Sequence, residues 1–115
     1  MGFVYLIGEI NSDNKYKIGS TRAKSINKRL KQLQTGNSNE LFIKSFYETD
    51  KPFKLETMLH NRFKDNNVIG EWFEMKEDEI KAFTDVCDNF QNIINSLKEN
   101  PYFWVKYGFF ILASA

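Results

Sequence analysis

Four residues, far apart along the chain, carry side chains that can act together: Tyr5, Lys17, Arg29 and Glu56. A phenol, an ammonium, a guanidinium and a carboxylate are the groups that hydrolysis of a phosphodiester with one divalent metal calls for. They supply a proton acceptor, a cation that tunes it, a clamp for phosphate and a metal ligand. Taken singly, each has an ordinary structural reading: a core tyrosine, a solvated strand lysine and two helix-surface charges. It is their order on successive elements that points to chemistry.

Those elements can be read from the pattern of the chain. Phe3 to Ile7 and Tyr16 to Thr21 are β-branched and aromatic runs, and Asn11-Ser12-Asp13-Asn14 between them is turn chemistry, so the pair forms a hairpin. From about Ser25 to Thr35, Ile26, Leu30 and Leu33 recur at helical spacing, and Gly36 is a natural stop. Arg29 lies on this helix, and Lys24, Lys28 and Lys31 line its opposite face. Leu41 to Tyr47 alternates, least cleanly at Ser45, which predicts a third strand. Asp50 as cap and Pro52 in the first turn then open a second helix to about Lys64, with Leu55, Leu59 and Phe63 as its stripe. Residues 65–70 read as a loop and 71–75 as a short extended segment. Ile80, Phe83, Val86, Cys87, Phe90, Ile93, Ile94 and Leu97 repeat as one long amphipathic helix.

Side chains alternate faces along a strand, so Tyr5 and Lys17 share a face if odd residues oppose odd ones across the hairpin. They then stand side by side or on a short diagonal, with Tyr16 on the other face. A free tyrosine titrates near about pH 10, and a neighbouring ammonium lowers that value, the role expected of Lys17. Arg29 offers a planar fork for two phosphate oxygens. Glu56 offers oxygen to a hard cation, best magnesium, with manganese as substitute. His60, four residues after Glu56 on the same helical face, is expected to orient Glu56, reach the phosphate or donate to a leaving group. Its plain alternative is a half-buried helix histidine. Arg22, Lys24, Lys28 and Lys31 are candidates to touch a nucleic-acid backbone.

Composition narrows the class. A length of 115 residues suits one domain. Residues 1–100 are expected to form it, with residues 101–115 as an apolar tail. Residues 1–64 hold 12 Lys/Arg against 6 Asp/Glu, and residues 65–115 hold 4 against 9, so the near-neutral total hides a basic front half suited to a polyanion. Cys87 is the one cysteine, which excludes an internal disulfide and a cysteine metal cluster and reads as a small core residue. No basic region precedes the first apolar run, so an intracellular protein, cytoplasmic or nuclear, is expected. Tyr102 to Ala115 is shorter than the roughly 20 residues a membrane span needs. It is expected to close the core or a homodimer interface rather than to enter a membrane.

The order and spacing of these residues resemble the GIY-YIG nucleases, in particular the compact branch of phages and large DNA viruses. Phe3-Val4-Tyr5 stands at the first motif, Lys17-Ile18-Gly19 at the second, and Arg29 at the helix arginine. Leu55-Glu56-Thr57-Met58-Leu59-His60 stands at the metal-binding segment, and Gly70-Glu71-Trp72-Phe73 is also similar. Lys17 replaces the second-motif tyrosine, and Tyr16 is displaced by one residue. The resemblance implies an α+β fold: a small three-stranded antiparallel sheet flanked by helices, with the long C-terminal helix as support. It also implies a metal-dependent DNA endonuclease leaving 5′-phosphate and 3′-hydroxyl ends with weak sequence preference. In it Tyr5 is the base, Arg29 steadies phosphate and Glu56 carries magnesium, with no small-molecule cofactor. Two other classes stand beside it: a non-cutting nucleic-acid-binding module of the same fold, and a protein-interaction subunit that docks through the tail.

Overall fold

A computed structural model describes residues 1–97; the apolar tail expected at residues 101–115 lies outside the described residues. The strands and helices follow in the order β1 (Gly2–Glu9), β2 (Lys15–Thr21), α1 (Ile26–Thr35), β3 (Leu41–Thr49), α2 (Pro52–Arg62), β4 (Asn67–Ile69), β5 (Trp72–Glu74), α3 (Glu77–Lys81) and α4 (Phe83–Leu97). A 3-10 turn at Lys64–Asn66 links α2 to β4.

The sheet has five strands in the order β3-β1-β2-β5-β4. All its pairings are antiparallel. The three-stranded sheet expected from the resemblance is therefore too small. The expected extended segment at 71–75 holds β5 of the added hairpin, but β4 lies within the expected loop 65–70 and, at three residues, is too short to show alternation. Gly70 makes the hairpin possible: at φ +54° it holds a left-handed conformation that costs glycine little.

β1 is central and buried along nearly its whole length because helices cover both faces of the sheet. Val4, Leu6 and Ile18 point to one face and pack with Leu55, Met58 and Leu59 of α2 and with Phe83, Val86, Cys87, Ile94 and Leu97 of α4. Tyr5 and Ile7 point to the other, with Ile26 of α1 and Leu41. The irregularity at Ser45 has a cause. β3 carries one extra residue, Lys44, between the pairs Ile7–Ile43 and Leu6–Ser45, and this bulge exchanges the two faces of the strand. Phe46 then lies opposite Tyr5, while Tyr47 joins the α2–α4 side.

Helix ends differ in detail from the sequence reading. Ser25 caps α1 by accepting from the Lys28 amide at 3.1 Å. The α2 cap is Lys51, not Asp50; Asp50 instead accepts from Gln91 Nε2 at 3.1 Å, tying α2 to α4. The long C-terminal pattern breaks at Ala82, where α3 ends and α4 begins. Among the described residues no helix is long and apolar enough to cross a membrane.

Leu59 has no exposed surface and joins α2 to the sheet, whereas Leu33 on α1 is only half-buried. Leu59→Ala is expected to cost about 3 kcal/mol in urea unfolding, and Leu33→Ala about 1 kcal/mol. Equal losses would mean that the two faces are not packed as described.

Candidate active site

β2 is longer than its partner on one side. It pairs with β5 only from Lys15 to Lys17, opposite Glu74, Phe73 and Trp72, and then continues to Thr21 paired with β1 but not with β5. The edge groups of Ile18 are therefore taken by other residues. Its N–H donates to the Glu71 carbonyl at 3.0 Å, and its own carbonyl lies 2.7 Å from His60 Nε2. A carbonyl can only accept, so that nitrogen carries the hydrogen. The His60 ring also packs against Phe73, with centroids 4.9 Å apart.

The next residue, Gly19, lies opposite Tyr5, and the Tyr5 ring crosses it so closely that an added Cβ would stand 2.6 Å from Tyr5 Cζ. The missing side chain is thus required by the tyrosine. Arg29 reaches the same phenol from α1, its Nε donating to Tyr5 Oη at 3.4 Å. Tyr5 is completely buried. Burial pushes its phenol above the ordinary value of 10.0; the hydrogen bond and charge of Arg29 pull it back, and Glu71 and Glu56 push it up.

Glu56 comes from the opposite face of the sheet. The Ser20 hydroxyl donates to Glu56 Oε1, and His60 Nε2 lies 3.4 Å from Oε2. Burial is also the main cause that raises the Glu56 carboxyl above its ordinary 4.5. The Ser20 hydrogen bond lowers it, Glu71 raises it, and the charges of His60 and Arg29 lower it. One donor atom each from Glu56, His60 and Glu71 lies within 4.8 Å of the other two. Carboxylate oxygens grouped at this spacing fit a hard divalent cation.

The residues singled out in the sequence are thus brought together unequally. Tyr5 and Arg29 touch, Glu56 and His60 touch, and the two pairs sense one another's charge across the β2 edge. Lys17 shares the Tyr5 face, as the odd-to-odd register requires, but stands opposite Ile7 and hence diagonal to Tyr5. The cation hydrogen-bonded to the phenol is Arg29, and burial outweighs its pull so that the phenol is raised. Arg22, Lys24, Lys28 and Lys31 are all exposed; Arg22 lies over the exposed Phe53 ring at 5.4 Å. Cys87 is a core residue, its thiol pushed up to about 12 by burial. Two contributors went unnoticed in the sequence, Ser20 and Glu71. Ser20 follows Gly19 on the strand and must face α2. Glu71 follows the turn glycine that aims it at β2.

The two-faced α+β domain thus gathers a phenol, a guanidinium and carboxylates beside one stretch of β2. A family model, the T5orf172 domain, matches residues 2–88, which includes every strand and every residue of the site. The chain belongs to the T5orf172 domain family, which is related to nuclease-type domains of the GIY-YIG and HNH-like kind. No curated protein and no solved structure matches it significantly.

Gly19→Ala should drive the Tyr5 ring from its place, whereas Gly36→Ala should be tolerated. Gly36 has φ −98° and nothing within 4 Å of an added Cβ. The expected outcome is a melting temperature lower by several degrees for the first variant only, about 1–3 kcal/mol of overpacking. A Gly19→Ala domain as stable as wild type, with unaltered Tyr5 NMR signals, would refute the close approach.

Proposed function

We propose that this domain is a metal-dependent endonuclease of the GIY-YIG type that hydrolyses DNA phosphodiester bonds. The single observation that supports it best is the convergence of Tyr5 and Arg29 from one face with Glu56 from the other, around Gly19. A compatible role, nuclease or DNA binding, accompanies the family.

In this reading the scissile phosphate lies at the β2 edge. Arg29 presents N–H groups to its non-bridging oxygens, and Lys17 adds a positive charge one pair along the strand. A water oxygen attacks phosphorus and gives its proton to the Tyr5 phenolate. The bond from phosphorus to the 3′ oxygen breaks, its electron pair stays on that oxygen, and a proton from water completes the 3′-hydroxyl while the phosphate remains on the 5′ side. Glu56 would hold a divalent cation, magnesium or manganese, which when bound would neutralise the charge that builds up. Ser20 and His60 hold the Glu56 carboxylate in one orientation. The exposed Lys24, Lys28 and Lys31 beside α1, with Arg22, form the surface that tracks the DNA backbone.

A second reading, binding without cutting, is favoured by one observation: the Tyr5 phenol is fully covered and held above its ordinary value. Plasmid nicking separates the two. Wild type with Mg²⁺ or Mn²⁺ is expected to nick supercoiled DNA, and Glu56→Ala and Arg29→Ala to lose about a hundredfold or more in rate while remaining folded. Retained DNA binding without nicking under either metal would replace the enzyme by the binding module.

The raised phenol also sets the pH dependence. The base form of Tyr5 is the minor species at neutral pH, and it grows as pH rises toward a value above 10.0. Nicking should therefore climb by up to about tenfold per pH unit between about pH 6 and pH 9. Tyr5→Phe should flatten the profile as well as lower it. A wild-type rate that falls over this range would exclude Tyr5 as the base.

A further inference from the structure

Glu71 has no part in the hydrolytic scheme above, yet it is fixed at its centre. Its carbonyl is hydrogen-bonded to Ile18, the neighbour of Gly19, and the left-handed Gly70 before it turns the β4–β5 hairpin toward β2. The next residue, Trp72, pairs with Lys17. The backbone of Glu71, in the β4–β5 turn, is therefore tied to the sheet at Ile18. We infer that Glu71 is a second carboxylate ligand of the divalent cation assigned to Glu56, and that His60 is a positioning residue and not a third ligand. The inference rests on the proposed cation at Glu56.

Distances and hydrogen placement carry the assignment. Donor atoms of Glu56, His60 and Glu71 lie within 4.8 Å of one another. Two oxygens on one magnesium-sized ion, each about 2.1 Å from it, stand about 3 Å apart, so a small closing movement of the carboxylates completes the pair. The Glu71 side chain, partly exposed, can make that movement without disturbing its anchored backbone. His60 differs. Its Nε2 donates to the Ile18 carbonyl at 2.7 Å, and the same nitrogen is the one that faces Glu56 at 3.4 Å. A protonated ring nitrogen has no lone pair for a metal, so Nε2, the ring nitrogen that faces Glu56, is not a ligand in this tautomer. The remaining set is all oxygen, two carboxylates with open positions for water, which is the set a hard cation takes.

Charge balance agrees. Glu56 and Glu71 lie together where a phosphodiester must also approach in the proposed reaction. Three anionic groups at such separations repel unless a cation stands among them. Arg29 is engaged with Tyr5 and Gln32, and so faces the phenol side of this group.

The test titrates Mn²⁺ and Mg²⁺ into the full chain by calorimetry and records the Mn²⁺ electron paramagnetic resonance spectrum. Wild type, Glu71→Gln, Glu71→Asp, Glu56→Gln and His60→Gln are compared, with circular dichroism to confirm folding. One Mn²⁺ site is expected in wild type, weakened about tenfold or more by Glu71→Gln and by Glu56→Gln, and partly restored by Glu71→Asp. No nitrogen coupling is expected in the wild-type spectrum. Unchanged Mn²⁺ affinity in Glu71→Gln, or no cation bound by wild type, overturns the role of Glu71. A nitrogen coupling lost in His60→Gln overturns that of His60. The outcomes are separable from the nuclease reading: Glu71-dependent Mn²⁺ binding without nicking keeps this inference and removes the enzyme. Nicking with Mn²⁺ affinity indifferent to Glu71 does the reverse.

Discussion

The site depends on where one strand stops pairing. β5 accompanies β2 as far as Lys17, and β2 continues to Thr21 without it. Backbone groups at a buried sheet edge must find partners. The amide of Ile18 takes the Glu71 carbonyl and its carbonyl takes the His60 ring, so two residues are drawn to the edge by the demands of the main chain. Each brings a carboxylate with it, His60 through Glu56 one turn earlier on α2, and Glu71 through its own side chain. Gly19, next in line, has no side chain to fill the space above the strand, and the Tyr5 ring occupies it. A requirement of sheet hydrogen bonding thus becomes a gathering of titratable groups.

The two faces of the sheet divide the labour. Tyr5 belongs to the core under α1, and the partner of its phenol, Arg29, belongs to α1 itself. Glu56 rides on α2, whose neighbours Leu55, Met58 and Leu59 belong to the core shared with α4. Relative placement of phenol and carboxylate is therefore set by a five-stranded sheet packed on both sides and not by a loop. Sites on rigid elements hold their geometry more closely than sites on loops. The basic surface also follows from this division. With its apolar stripe turned to Tyr5 and Ile7, α1 must turn Lys28 and Lys31 outward, on the same side of the sheet as Arg29.

Much of this was legible in the chain because it rests on periodicity. The hairpin, α1, β3, α2 and the final helix follow from alternation or helical spacing, and the shared face of Tyr5 and Lys17 follows from odd-to-odd pairing. What escaped the sequence has particular causes. β4 is too short to carry a pattern and reads as loop, and with it went the size of the sheet. The Lys44 bulge reverses faces in β3 without any compositional sign. The neighbour of the Tyr5 phenol turned out to be Arg29, because a helix packed over the strand outreaches a side chain one register step away. Burial is a tertiary quantity, and it is burial that dominates the titration of Tyr5 and Glu56.

That dominance has a consequence for why the site exists. Glu56 is held above its ordinary value, so its contribution to stability is present below about 4.5 and is lost as pH rises through the folded value. Tyr5 is raised as well, but its stabilising form is the neutral phenol, which persists to beyond 10.0. Glu56 stands at the point where charges from α1, α2 and the β4–β5 turn meet. A single positive charge set among Glu56, Glu71 and the phenol would relieve the carboxylate and lower the phenol together.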